Sequence, residues 1–322
     1  MPEPVKLVLF GGKGGVGKTT CASAAAVQLA DAGNRTLLVS ADPAHSLSDS
    51  LEQEIGPEVQ KIEGVTNLSA LEISAERLFL KFKEEHGEEI KRILETGTYL
   101  DEGDIDDLFS LSIPGLDEVM AFKELVELME REEHDLYLLD TAPTGHALRL
   151  LALPELLDEW IRVLARMRYK YRYVVSRLAR REIHESADDF LFTMKRTVRK
   201  IQGLLRDPDR CEFVVVTIPE TMVIAETRRL VEELARLKIP VRRLVVNRMV
   251  SSEHGACAFC HERWQEQRGL LQECERAFPQ LTLFKLLERP HQVKGFQRLR
   301  ELQFPVRWFI EPLGAPADRS IA

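Results

Sequence analysis

The sequence predicts an α/β fold in which a doubly wound, mostly parallel sheet carries a helical insertion subdomain. Three observations lead there. Short, branched, apolar runs recur along the 322 residues, and helix-like segments separate them. The first of these runs also passes through a glycine-rich turn directly into a helix-like segment. Strands covered on both faces read as near-continuous apolar runs, and their alternation with helices builds helical layers on a parallel sheet.

The first element is Val5–Phe10 (VKLVLF), with the length and branching of a buried strand. It leads into Gly11–Thr20, GGKGGVGKTT, and then into Cys21–Ala30, which reads as a helix. Gly12, Gly17, Lys18 and Thr19 fit G-x-x-x-x-G-K-[ST], with Lys13, Gly14, Gly15 and Val16 between them and Thr20 beyond. A glycine-rich turn between strand and helix lets backbone N–H groups face a polyphosphate, and the helix N-terminus adds partial positive charge. In this motif the lysine reaches the β/γ-phosphates and the hydroxyl holds Mg²⁺. The fold is therefore expected to be a P-loop NTPase, with Gly12, Gly14, Gly15, Val16, Gly17, Lys18, Thr19 and Thr20 around the nucleotide and Thr19 on the metal.

The second strand, Thr36–Ser40, places Asp42 just beyond its C-terminal end. In an open α/β sheet that end lies beside the phosphate loop, so Asp42 could orient or deprotonate the attacking water. A third strand, Leu136–Asp140, ends on a carboxylate in the Walker-B manner, which makes Asp140 the second Mg²⁺ ligand. Either aspartate alone could instead cap a helix or turn, a reading that the P-loop beside them disfavours. His45 and His146, in the loops after these strands, read as loop hydrogen-bonders rather than catalytic bases. Two further strands are expected at Phe213–Ile218 and Val241–Asn247.

Two intervals, about 73–112 and 153–208, exceed simple crossovers and look helical, so residues 1–322 are expected to form one P-loop domain bearing a helical subdomain. Within the second, Leu153, Leu157, Trp160, Leu164, Met167, Tyr171 and Val175 follow helix-face spacing, with arginines on the opposite face. This stretch reads either as a helix with a solvated basic back or as one wall of an apolar groove. A helix of roughly 25 residues spans about 37 Å, enough to flank a transmembrane segment.

Composition restricts the partners. A net charge of −8 gives no global nucleic-acid footprint, and no run approaches the roughly 20 apolar residues that span a bilayer. The N-terminus lacks the layout of a signal peptide. Five cysteines argue for reduced thiols or metal rather than a disulfide framework. A cytoplasmic protein is expected. Cys257-Ala258-Phe259-Cys260 supplies two thiolates on one turn, whereas a structural zinc site takes four ligands. On the residues alone the pair is open to free thiols, redox chemistry or half a metal site. Cys21 and Cys274 are expected to pack in helices and Cys211 at a strand's start.

The doubled-lysine loop, Lys13 through Thr19, is similar to that of the P-loop class containing the MinD, nitrogenase iron-protein, arsenite-pump and tail-anchored-protein targeting ATPases. The segments DPAHSLSD at 42–49, PGLDE at 114–118 and DTAPTGHALRLL at 140–151 narrow this. Over about residues 5–310 the chain resembles the arsenite-pump and tail-anchored-protein targeting ATPase family, above all its single-unit, CxxC-containing targeting factors. The resemblance implies that Asp42 is catalytic, that Lys13 acts at a partner subunit's nucleotide, and that Asp140–His146 senses the nucleotide. It also implies nucleotide contacts at Glu220, at Asn247 as the adenine-reading asparagine, and at Pro290 in the loop Pro290–Gly295. No N-K-x-D motif occurs, so ATP is favoured over GTP.

The same resemblance implies a homodimer stapled by one Zn²⁺ held by Cys257 and Cys260 of both chains. The leading expectation is a Mg²⁺-dependent ATPase whose closed dimer shields a client's hydrophobic tail-anchor helix, with a membrane receptor as a further partner. The alternative is the energising subunit of an arsenite or antimonite efflux pump. That reading is weakened by a single P-loop and by the absence of any cysteine between Cys21 and Cys211. A MinD-like membrane-surface switch usually ends in a basic amphipathic helix, and the polar tail Leu313–Ala322 is not one. One departure stands out: the stretch matching the family's methionine-rich lid, about 181–206, contains only Met194 and is basic.

Overall fold

A computed structural model describes residues 6–41, 46–74, 116–141, 186–251 and 257–310, together with Arg162 and scattered positions between 77 and 87. Asp42, His45, His146, the helix-face pattern 153–178 and the tail after residue 310 lie outside the described residues.

Eight strands form one sheet in the order β3-β4-β2-β5-β1-β6-β7-β8. In chain order they are β1 (Lys6–Gly11), β2 (Thr36–Ser40), β3 (Gln60–Lys61), β4 (Leu68–Glu72), β5 (Leu136–Asp140), β6 (Cys211–Thr217), β7 (Val241–Met249) and β8 (Thr282–Leu287). Every pairing is parallel except β3 with β4. The described helices are α1 (Lys18–Asp31), α2 (Ser46–Leu51), α3 (Leu116–Glu130), α4 (Ser186–Arg206), α5 (Thr221–Arg236), α6 (Ala258–Ala277), α7 (Gly295–Arg300) and α8 (Arg307–Ile310). This is the expected doubly wound P-loop architecture, with strand order reversing on either side of β1.

The core follows from the sequence pattern. All residues of β2, β4, β5 and β6 are buried, as strands covered on both faces require. Helix α1 buries Cys21, Ala22, Ala24, Ala25, Ala26 and Val27; its run of small side chains lets the backbone approach the sheet closely. Phe10, Phe284, Phe304 and Phe309 join the same core cluster, and Phe304 stacks on Phe309 with ring centroids 6.1 Å apart.

The chain divides into two compact units, Met1–Ile73 with Arg131–Leu148 and Leu205–Ala322, and Ser74–Glu130 with Arg149–Leu204. The first holds the whole sheet. In the second, α4 buries Val198, Ile201 and Leu204 at helical spacing, and Lys200 Nζ meets Glu130 Oε1 at 2.6 Å.

Strands β1, β2 and β5 begin and end within a residue of the apolar runs that predict them. β6 starts earlier, at Cys211, and β7 runs on to Met249. β4 and β8 carry no comparable signal, whereas α5 is one of the expected intervening helices and buries Val223, Ile224, Leu230, Val231 and Leu234 at helical spacing. β4 reads LSALE, yet its terminal Glu72 is buried because its Oε1 accepts from the Ser48 N–H at 3.1 Å. β8 alternates buried and exposed positions because it lies at the sheet edge.

Candidate functional site

The site is built where β1, β2, β5 and β6 end. β1 runs in register with β5 and β6, pairing Phe10 with Asp140 and with Val214. The three strand ends are tied together: Thr141 donates to the Phe10 carbonyl from both N–H and Oγ1, and the Ala41 N–H donates to the Asp140 carbonyl. This framework fixes where the loop after β1 must turn.

Two glycines of that loop are sterically required. A Cβ on Gly12 would lie 2.1 Å from the Val216 carbonyl oxygen, so the loop backbone rests directly on β6. Gly17 has φ of 95° and is the N-cap of α1, and a Cβ there would lie 2.4 Å from Asn247 Nδ2. A left-handed residue pressed against a neighbour is a position for glycine alone. Gly14 and Gly15 are exposed, Gly15 with φ of 81° and open space around it. The backbone N–H groups of Gly14, Gly15 and Gly17 meet no protein acceptor among the described residues. Val16 is buried beneath them, and Thr20 is half-buried in the first turn of α1.

Lys18 opens α1, is buried, and donates from Nζ to the Lys13 carbonyl at 3.4 Å. Thr19 Oγ1 donates to Asp140 Oδ2 at 2.6 Å and lies 3.1 Å from Ser46 Oγ. The hydroxyl, the carboxylate and a second hydroxyl therefore meet at one point at the head of α1. A hard-oxygen donor set beside a polyphosphate cradle fits Mg²⁺, and the free loop N–H groups at a helix N-terminus fit phosphate oxygens. The Cys21 thiol, one turn behind, is pushed up to about 12 by burial and then by the Asp140 charge, which makes it inert.

The Lys13 ammonium turns to its own chain, 2.9 Å from Glu226 Oε1 on α5. Asn247 bridges β7 to the loop: its Nδ2 donates to the Val16 carbonyl at 2.9 Å, and its Oδ1 accepts from the Arg248 N–H. Glu220 is the exposed N-cap of α5, and Pro290 is exposed in the turn after β8. A cavity of about 440 Å³ joins Glu220 and Thr221 to Arg248, Phe259 and Arg263. Among the described residues, then, the structure brings Gly12, Lys13, Val16, Gly17, Lys18, Thr19, Asp140 and Asn247 together. Glu220 lies on the cavity to one side, and no contact ties Pro290 to the loop.

Cys257 is the N-cap of α6, and its sulfur lies 2.9 Å from that of Cys260 and accepts from the Cys260 N–H at 3.3 Å. These contacts hold the Cys257 thiol below its ordinary range and raise that of Cys260. No group of three or more His, Cys, Asp or Glu side chains that could hold a metal ion occurs among the described residues, and the pair supplies two of the four ligands that a structural zinc site takes. Cys21, Cys211 and Cys274 are buried in α1, at the start of β6 and in α6.

Sequence reading missed three residues that shape this region. Ser46 joins the Thr19–Asp140 contact. Gln267, nearly fully buried, accepts from the Val250 N–H at 2.7 Å and donates to the Arg248 carbonyl at 3.1 Å, clamping α6 to the end of β7. Glu226 meets Lys13 across 213 positions of chain. Ser46 was legible from its adjacency to Asp42; a glutamine and a glutamate inside charged helices carry no local signal.

The family model described as anion-transporting ATPase matches residues 5–305. The chain is 37% identical over 318 residues to ATPase GET3C of Arabidopsis thaliana, covering 92% of this chain and 80% of the relative. It is 33% identical over 307 residues to ATPase ASNA1 homolog 1 of Paramecium tetraurelia, with coverage of 93% and 91%. With ATPase GET3 of Komagataella phaffii the identity is 31% over 332 residues, covering 98% and 93%.

Proposed function

The chain belongs to the anion-transporting ATPase family, and we propose that this P-loop ATP hydrolase works as a homodimeric, nucleotide-driven clamp. Its clients would be the hydrophobic tail-anchor helices of membrane proteins, which it would shield and deliver to a membrane receptor from the cytoplasm. The observation that supports the reading is the Cys257–Cys260 pair at the head of α6, two neighbouring thiols, exposed and half-buried, on a unit with a single P-loop. A twofold axis would bring two such pairs together, two chains giving two thiolates each to one Zn²⁺.

In this reading the loop N–H groups and Lys18 grip the phosphates. Thr19 and Asp140 hold the metal, and Asp42 positions the attacking water. Lys13 reaches the nucleotide of the second subunit, while Glu220, Asn247 and Pro290 border the nucleoside. Bound Mg²⁺ neutralises charge on the β- and γ-phosphate oxygens. Asn247 reads the base with the one amide N–H and the one oxygen lone pair that its contacts with Val16 and Arg248 leave over. No helix among the described residues is long and apolar enough to cross a membrane, which suits a carrier of membrane segments.

The pump reading gains nothing from the three buried cysteines. Burial pushes the Cys21, Cys211 and Cys274 thiols up, Cys274 to about 11, and a soft metalloid takes thiolates. The deciding experiment traps the purified protein with ATP and offers it a peptide helix of about 20 apolar residues. A dimer that keeps the peptide in solution supports the clamp. An ATPase that is stimulated by arsenite but holds no peptide supports the pump.

A further inference from the structure

We propose that Glu226 is the positioning residue for Lys13: it holds the lysine within its own chain and competes with phosphate oxygens for the ammonium. The proposal rests on the reading that Lys13 serves the nucleotide of a second copy.

The ion pair is imposed by the scaffold. Lys13 hangs from the end of β1 and Glu226 from the helix that follows β6, and these strands are neighbours in register, Gly11 beside Val215. The loop is pressed onto β6 at Gly12, against the Val216 carbonyl. On the other side, the residue next to Glu226 is pinned. The buried Thr227 Oγ1 lies 2.9 Å from Thr217 Oγ1 and donates to the Val223 carbonyl at 2.8 Å, locking the rotation of α5 on the strand. With both backbones fixed, the movable part is the four-carbon stem of Lys13, whose ammonium sits 2.9 Å from Glu226 Oε1.

The strength of the pair suits exchange. Both side chains are 35% exposed, and ion pairs so open to solvent shift an equilibrium by only about two- to fivefold. A carboxylate carries one negative charge and a triphosphate several, so the ammonium leaves Glu226 for a nucleotide offered by a second copy. Reaching outward requires the stem to swing and the 2.9 Å contact to break. Glu226 thereby raises the nucleotide and protein concentrations at which two copies close, and it contributes nothing to the chemistry once they have closed.

The test compares Glu226→Gln, Lys13→Ala and the double variant by ATP-dependent dimerisation and steady-state ATPase kinetics. Glu226→Gln is expected to lower the KM for ATP and the dimerisation midpoint by about two- to fivefold, with kcat within twofold of the parent. Lys13→Ala is expected to abolish ATP-driven dimerisation and to erase the Glu226→Gln effect. Glu226→Asp should restore parental behaviour, which a change in helix packing would not. An unchanged or raised KM in Glu226→Gln, with Lys13→Ala defective, overturns the role of Glu226 and leaves the lysine's role intact. A separate arm tests the underlying reading by mixing Lys13→Ala chains with Lys18→Ala chains. Recovered turnover places Lys13 at the partner's nucleotide, and no recovery removes the premise and this proposal with it.

Discussion

Thr19 Oγ1 donates to Asp140 Oδ2 at 2.6 Å, joining the first turn of α1 to the end of β5 across 121 positions of chain. A hydroxyl donating to a carboxylate makes a charge-assisted contact of about 1.5–3 kcal/mol, and here it also preorganises two oxygen donors at the phosphate loop. Thr19→Ala is therefore expected to cut Mg²⁺-dependent ATPase turnover by about 10- to 100-fold while Thr19→Ser keeps most of it. Metal titrations of steady-state turnover check this, with parental metal dependence in Thr19→Ala as the contrary result.

Gly12→Ala tests the contact with β6. The added Cβ would fall 2.1 Å from the Val216 carbonyl oxygen, a backbone atom that cannot swing aside. The loop must lift from the strand, at a cost of about 1–3 kcal/mol for overpacking. ATP affinity measured by calorimetry should drop at least tenfold, and a drop of less than twofold would mean that the loop is not held as described.

Asp42→Asn is expected to bind ATP within about threefold of the parent and to lose turnover by roughly 10²- to 10⁴-fold, the range for a positioned general base. Nucleotide binding and single-turnover hydrolysis, measured separately, decide it. Undiminished hydrolysis assigns water positioning to another residue.

The Cys257→Ser, Cys260→Ser variant should lose zinc, one ion per two chains, and shift toward monomer in sedimentation. Elemental analysis and sedimentation on the parent protein come first. A parent dimer free of zinc refutes the shared site.

The buried pair of Glu212 and Arg243, 2.7 Å apart with side chains 9% and 11% exposed, gives a stability prediction. Glu212 Oε1 has no hydrogen-bond partner among the described residues. Arg243→Met leaves that carboxylate uncompensated and should destabilise the fold by about 3–5 kcal/mol, whereas Glu212→Leu with Arg243→Met together should cost far less. Burial is the largest influence on the Glu212 carboxyl and raises its pKa despite Arg243. A group whose folded pKa exceeds its unfolded value contributes stability that is full below the unfolded value of 4.5 and fades as pH rises through the folded one. Denaturation midpoints should therefore show a decline on that rise in the parent protein, and the decline should vanish in Glu212→Gln.

Much of this protein was determined by local sequence. The strands β1, β2 and β5, the loop Gly12–Thr19 and the cysteine pair are contiguous patterns whose geometry follows from chain-neighbour sterics and hydrogen bonding, so they could be read in order. That Asp140 would end a strand was equally legible. The tertiary structure alone decided which distant groups meet. Strand order put β5 beside β1 and so brought Asp140 to Thr19. The rotation of α5, fixed by Thr227 on Thr217, brought Glu226 to Lys13, and the packing of α6 placed Gln267 at the end of β7. A polar side chain on a charged helix looks alike in sequence whether it faces water or a partner 200 residues away. Its partner is set by register and helix rotation, which depend on the burial of the whole core rather than on any segment of it.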